Sequence, residues 1–233
     1  RKLAHGIKAM ALKTADEYRQ SLNDGRVVYW GGETISNVSE HPRFQVPIAV
    51  GSRDYAYNDP KLRDLITYTT EDDTLAHRVY QVPRTIEELE LRLDLGRQMS
   101  IVGGVTGVYM ALLQIKDRLA QVNAQYAQNI ENMYRYARDN DLRAAEVITD
   151  AKGDRSKKAH EQIDPDLYVR IVDQNADGII VRGAKLHITA AALVHELVVM
   201  PTKSMREHEA DYAVAFSIPV ATEGVKKIGR AHV

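Results

Sequence analysis

The 233-residue chain contains no cysteine. It therefore brings no disulfide, no thiolate zinc site, no cysteine ligand for an iron–sulfur cluster and no cysteine nucleophile of its own. Aromatic residues are few apart from tyrosine, with one Trp and two Phe against 12 Tyr. No apolar run approaches the roughly 18 residues of a membrane span, so no membrane partner is expected. The first six residues, Arg1-Lys2-Leu3-Ala4-His5-Gly6, are basic but lack the apolar stretch of a secretory signal. Net charge is −1, which leaves no overall attraction to nucleic acid or to an anionic surface. What remains is a core-forming chain, 44% apolar and 27% charged, long enough for one large domain or two small ones, with a cytoplasmic setting expected.

Capping signals open the first part. Thr14-Ala15-Asp16-Glu17 has capping-box spacing and predicts a helix over 14–23. Arg26-Val27-Val28-Tyr29-Trp30 reads as a strand with Gly31-Gly32 as its turn, and 33–47 reads as loop. Asn58 or Asp59 before Pro60 starts a helix expected over 60–75. Thr85-Ile86-Glu87-Glu88 is a second capping box, before a helix expected over 86–99. Gly103, Gly104 and Gly107 interrupt. Val108, Leu112, Ile115, Leu119, Val122, Tyr126, Ile130, Met133 and Ala137 then form one apolar stripe at helical spacing, which predicts a single helix over 108–139.

After Asp141 the pattern changes to short β-branched runs at Ile148, 167–172, 179–182, 197–200 and 213–220. Asn175-Ala176-Asp177-Gly178 between two of them is a hairpin signal. The change predicts an α+β chain, with a mainly helical domain over 1–140 and a β domain over 141–233. The latter reads as cut short, because no closing element is seen over 226–233.

Two polar loops, 149–156 and 185–191, each follow a short apolar run and carry hydroxyls, backbone N–H groups and mixed charge. At the ends of strands in one sheet they would hold a planar polar ligand. Arg155 offers a planar fork to a phosphate or carboxylate, although a solvated loop charge is the plainer reading. Thr149 and Thr189 are hydroxyl donors or ordinary strand-and-turn residues. Lys185 reads as a ligand contact or as a surface lysine with its stem laid on apolar atoms. His187 is a candidate acid/base, against the plain reading of a satisfied histidine. Glu146, a carboxylate beside an apolar run, is a candidate base if buried and otherwise an edge charge. His195-Glu196 and Glu207-His208-Glu209 do not form a set of three ligands at usable spacing, so no metal is expected.

An ordered series of short motifs resembles one flavoenzyme family, that of 4-hydroxyphenylacetate 3-hydroxylase and 4-hydroxybutyryl-CoA dehydratase. The series is Asp24-Gly25-Arg26-Val27-Val28-Tyr29, His41-Pro42, Pro83-Arg84-Thr85, Asn140-Asp141-Leu142, Thr149-Asp150-Ala151-Lys152-Gly153-Asp154-Arg155-Ser156, Asp164-Pro165-Asp166-Leu167-Tyr168-Val169-Arg170, Asp177-Gly178-Ile179, Val181-Arg182-Gly183-Ala184-Lys185, Val199-Met200-Pro201-Thr202 and Asp211-Tyr212-Ala213-Val214. The resemblance implies an acyl-CoA dehydrogenase-like architecture: a helical N-terminal domain, a β-barrel-like middle domain, and a C-terminal helical bundle that this chain would lack. It implies FAD, with Thr149, Lys152, Asp154, Arg155, Ser156, Lys185 and Thr189 toward the cofactor and Tyr109, Glu146 and His187 toward the chemistry.

Departures from the family pattern matter for the reaction. Val102 and Thr106 stand where the dehydratase branch has cluster-ligating cysteines. Val105 stands where the hydroxylase branch has an arginine, four residues before Tyr109, and Glu146 stands near the place of its histidine. The reading is a flavin-dependent monooxygenase acting on a phenolic or related small substrate, supplied with reduced FAD by a separate reductase and assembled as a homo-oligomer, a tetramer in the family. The alternatives are a dehydratase/isomerase acting on a CoA ester, and a non-catalytic subunit completed by a C-terminal partner chain.

Overall fold

The computed structural model describes residues 12–229; the basic segment 1–6 and the end of the chain at 230–233 lie outside them. Helix α1 (Ala15–Ser21) begins at the expected capping box: the Thr14 hydroxyl accepts from Glu17 N, and the Glu17 carboxylate accepts from Thr14 N. Strand β1 (Val27–Trp30) turns through Gly31 and Gly32 into β2 (Glu33–Ile35). The segment 33–47, expected as loop, holds β2 and the start of α2 (Pro42–Ser52), which carries Pro47 inside it. Phe44, Ile48 and Gly51 are buried at four- and three-residue steps, and that packed face offsets the ladder bond Pro47 cannot donate.

Asp59 caps α3 (Pro60–Ile66), which is half the expected length. The chain leaves the helix at Thr67 for a hairpin of β3 (Thr67–Thr69) and β4 (Leu75–His77). Thr70 N donates to Thr74 O at 2.8 Å, and the two hydroxyls meet at 2.7 Å, so this threonine pair closes the turn. Helix α4 (Ile86–Gln98) follows its cap Thr85 as expected, and a short α5 (Ile101–Val105) runs through Gly103 and Gly104. The single helix expected over 108–139 is two, α6 (Val108–Ala120) and α7 (Ala124–Asp139). Asn123 has extended backbone and caps α7 by accepting from Gln125 N at 2.9 Å. Lys116 and Glu131 pair at 2.8 Å across the two helices.

Strand β5 (Ala144–Val147) pairs in parallel with β8 (Glu196–Val199), and β8 pairs antiparallel with β9 (Phe216–Pro219). Between β5 and β8 comes the expected hairpin of β6 (Arg170–Asn175) and β7 (Gly178–Arg182), its turn held by Asn175 Oδ1 accepting from Asp177 N and Gly178 N. The last strand, β10 (Lys226–Ile228), pairs in parallel with β1; the sequence alone showed no closing element there. Of the barrel-like β domain expected, the described residues show open sheets rather than a closed barrel. The strands form two three-stranded sheets and two hairpins, and among the described residues none closes. Three short strands cannot share the tilt and stagger around a ring that closure requires.

Sheet β5–β8–β9 separates two cores. Ala145, Val147, Leu197 and Val199 face the larger, which also holds Tyr18, Leu22, Val28, Ile48, Tyr55 and Val102. Ala144 and Val198 face the smaller, with Tyr80, Tyr109, Leu112, Ile130 and Tyr134. Both α6 and α7 feed this second core. Contacts cross residue 140 freely: Tyr18 Oη donates to Leu193 O at 2.8 Å, and Arg26 Nη1 to Ala192 O and Val194 O.

Candidate functional site

Parallel pairing brings the C-terminal ends of β5 and β8 side by side. The loop after β5 and the loop between β7 and β8 meet just beyond. Asp150 and Lys185 form an isolated antiparallel bridge, and Leu186 N donates to Thr149 O at 2.8 Å. Lys185 Nζ donates to Ile148 O and Met200 O, both at 2.8 Å, and to Asp150 Oδ1. The Lys185 and Asp150 side chains are 7% and 8% exposed. All three ammonium hydrogens are used inside the chain, so Lys185 pins the two loops together rather than reaching outward.

The loop after β5 is folded tightly. Gly153 has φ 52°, and a Cβ there would lie 2.6 Å from Leu167 Cδ2 and 2.7 Å from Gln162 Oε1. Only glycine fits that conformation and that space. The buried Gln162 side chain accepts from Asp154 N and donates to Asp154 O, both at 2.9 Å. Asp154 Oδ1 accepts from Ser156 N at 2.9 Å and Ser156 Oγ at 2.6 Å; the Ser156 hydroxyl, with its N–H, holds the carboxyl below the usual range. Asp154 and Ser156 therefore shape the loop.

Exposed beside this frame are Thr149, Lys152, Arg155, His187 and Thr189. Their side chains make no hydrogen bond or ion pair to any described residue. His187 and Ala190 adopt positive φ, 56° and 60°. Each such non-glycine conformation costs on the order of 1 kcal/mol and points to a constraint imposed by the surroundings. Here the two left-handed residues bracket Ile188 and Thr189: Ile188 packs against the larger core while His187 and Thr189 stay in solvent.

A second set of polar groups lies on one face of the sheet. The register places Glu146, Glu196 and Ser217 on the face of β5–β8–β9 that Ala144 and Val198 share, toward α6. Glu146 is exposed at its edge. Glu196 is 6% exposed and accepts from Ser217 Oγ at 3.0 Å; burial raises its carboxyl above the ordinary value. Tyr109, expected toward the chemistry, is buried in the smaller core, and among the described residues its hydroxyl makes no well-formed hydrogen bond. Burial, and next the charge of Glu196, raise its phenol well above the ordinary value. Glu196 escaped the sequence reading, which weighed it only as half of a metal pair with His195. Its signal was a carboxylate inside the apolar run 193–199. His195 itself is structural, accepting from Arg143 N at 2.9 Å and bonded to Ser21 Oγ at 2.8 Å.

Val102 and Thr106 are packing residues. Val102 is fully buried, and the Thr106 hydroxyl donates to Val102 O while accepting from Ala144 N. A hollow of about 410 Å³ lies elsewhere; Thr67, Tyr68, Arg78 and Glu88 are among the residues lining it, and it touches neither polar loop. The paired loops thus present an open polar rim: two free hydroxyls, a free guanidinium, a free lysine and an imidazole, above a rigid base. That donor set suits a flat, polar, anionic ligand.

The family model described as 4-hydroxyphenylacetate 3-hydroxylase N terminal matches residues 14–233. The chain is 32% identical over 230 residues to 4-hydroxybutyryl-CoA dehydratase/vinylacetyl-CoA-Delta-isomerase of Clostridium aminobutyricum, covering 92% of this chain and 46% of that protein. It is 32% identical over 235 residues to the oxygenase component of 4-hydroxyphenylacetate 3-monooxygenase of Geobacillus sp. (strain PA-9), covering 95% and 47%. Among solved structures, such an oxygenase component complexed with FAD superposes with a TM-score of 0.81 at 28% identity, over 94% of this chain and 47% of the other. An oxygen-tolerant archaeal 4-hydroxybutyryl-CoA dehydratase from N. maritimus gives 0.84 at 26% identity, over 94% and 46%. The chain spans about half the length of the relatives it matches.

Proposed function

The chain belongs to the 4-hydroxyphenylacetate 3-hydroxylase family, and from that premise we propose that it forms the flavin-binding region of a FAD-dependent monooxygenase acting on a phenolic or related small substrate. The observation that carries the proposal is the pinned loop pair, whose free side chains are of the kind a flavin needs. The relatives add support: one structure holds FAD, another FAD with 4-hydroxyphenylacetate, and a Burkholderia cepacia relative is named an FADH2-dependent monooxygenase.

The residues fit the group. Thr149 and Thr189 offer hydroxyls to the polar edge of a flavin ring, and Arg155 and Lys152 offer cations to its diphosphate. Reduced FAD, when bound, supplies the oxygen-activating chemistry. The chain's own residues position substrate and handle protons. His187 is exposed at the rim, where its imidazole can donate or accept a hydrogen bond to a ligand. Glu146 lies on the sheet face toward α6, three residues before Thr149. On that same face burial raises both the Tyr109 phenol and the Glu196 carboxyl above their ordinary values. A separate reductase as flavin donor, a cytoplasmic setting and assembly as a homo-oligomer or with a C-terminal partner chain complete the proposal.

A second reading, a dehydratase/isomerase acting on a CoA ester, is favoured by the equal identity to the Clostridium enzyme. Against it stand the absence of any cysteine in this chain and the packing roles of Val102 and Thr106. Anaerobic titration of the purified chain with reduced FAD, with an iron assay on the same sample, tests both. Saturable binding without iron, weakened roughly tenfold by Arg155→Ala, one charge-assisted hydrogen bond's worth, is expected. Failure to bind reduced FAD overturns the flavin proposal, and stoichiometric iron replaces it with the dehydratase.

A further inference from the structure

We propose that His160, His208 and Glu209 form a binding site for a divalent transition-metal ion of the zinc type, which fastens the loop after β5 to the turn before β9. The three side chains come from two 3-10 turns, Ala159–Glu161 and Glu207–Tyr212, far apart in the sequence. The turns share a small core of their own, in which Ala159 and Tyr212 pack with Tyr168. One ligand atom from each of the three side chains lies within 4.8 Å of the others. His160 Nδ1 is 3.0 Å from Glu209 Oε1, and the rings of His160 and His208 meet edge to face with centroids 4.6 Å apart.

The donor types decide which ion. Two imidazoles and one carboxylate suit zinc and its borderline neighbours, whereas a hard ion such as calcium requires an oxygen-rich shell. Tetrahedral zinc with bonds of about 2.1 Å sets its ligand atoms roughly 3.4 Å apart, and the His160–Glu209 pair is already close to that spacing. Glu209 is 4% exposed, and its Oε2 accepts from Arg206 N at 3.2 Å, so the carboxylate is held in place. Both histidines are exposed, which lets the rings turn toward a common ion and leaves a fourth position for water. An ion entering there takes the place of the His160–Glu209 hydrogen bond.

The consequence falls on the loop. His160 lies just past Lys152, Asp154, Arg155 and Ser156, in the stretch that Gln162 already ties back to Asp154. A bound ion adds a second tie from that stretch to Glu207–Tyr212. None of the three ligands belongs to the flavin rim, so the site stands whether or not the chain binds flavin.

The test is titration of the full, chelator-treated chain with Zn²⁺ and, separately, Co²⁺ near neutral pH. One Zn²⁺ per chain is expected, with visible Co²⁺ absorption of a four-coordinate site and a rise in melting temperature on adding Zn²⁺. His160→Ala and His208→Ala, both exposed and so compatible with folding, are each expected to lower Zn²⁺ affinity at least tenfold and abolish the melting shift; circular dichroism confirms that the variants fold. No stoichiometric binding at about 100 μM free Zn²⁺, or binding that survives both substitutions, overturns the site.

Discussion

Lys185 shows what a residue's neighbours decide and its sequence context does not. Within Arg182-Gly183-Ala184-Lys185 it reads as a surface lysine or as a ligand contact. The fold surrounds its ammonium with oxygens from Ile148, Asp150 and Met200, which no local pattern announces. Lys185→Met leaves the Asp150 carboxylate buried without its cation and is expected to cost about 3 kcal/mol in chemical denaturation. Lys152→Met, at an exposed and unpaired position, is expected to stay within about 0.5 kcal/mol. Glu196 supplies the pH dependence. Burial raises its folded pKa above the unfolded value, with the Ser217 hydrogen bond opposing. Between the two values the folded chain keeps a proton the unfolded chain has shed, so this contribution is complete at low pH and is lost as pH rises through the folded value. Glu196→Gln is therefore expected to gain stability over the wild type as pH rises from below the ordinary carboxyl value to above the raised folded value. Denaturation curves at both ends check the sign, and a difference that shrinks with pH contradicts it.

At the scale of elements, capping chemistry was legible and three-residue strands were not. Thr14, Asp59 and Thr85 each start a helix where a short side chain satisfies an orphan N–H. The break between α6 and α7 was hidden because both helices turn their apolar stripes to the same core, so the periodicity runs on across the turn. Val122, counted in that stripe, is 77% exposed at the turn, and Asn123 next to it is the cap. Asn123→Ala is expected to cost about 1 kcal/mol, with the loss of helical signal on heating beginning in α7. Hydrogen exchange along 124–130 locates the effect. Strands β3, β4 and β10 are three residues each, too short for alternation to show, and β10 pairs with a strand near the other end of the chain. Helix α2 was missed because Pro47 reads as a stop, whereas the burial of Phe44 and Ile48 outweighs it.

For the whole molecule, the family was readable from many ordered motifs, and their positions in the fold explain what several of them do. Asp141 accepts from Tyr57 and from the buried Arg143, Gly153 and Asp154 shape a loop, and Lys185 pins two loops together. These motif residues hold the frame, and the exposed Thr149, Arg155, His187 and Thr189 stand free on it. What the sequence did not convey is how the chain shares its core. The larger cluster draws on residues before and after 140, with β5–β8–β9 as the wall between two cores, and among the described residues no sheet closes into a barrel. The central claim is that the paired loops are the flavin-binding surface. Amide hydrogen exchange of the chain, compared with and without saturating FAD, tests it most directly. The account predicts slowed exchange along 149–156 and 185–190, with the α6–α7 turn unchanged. Protection centred instead on the hollow lined by Thr67, Arg78 and Glu88, with no change in either loop, would contradict it.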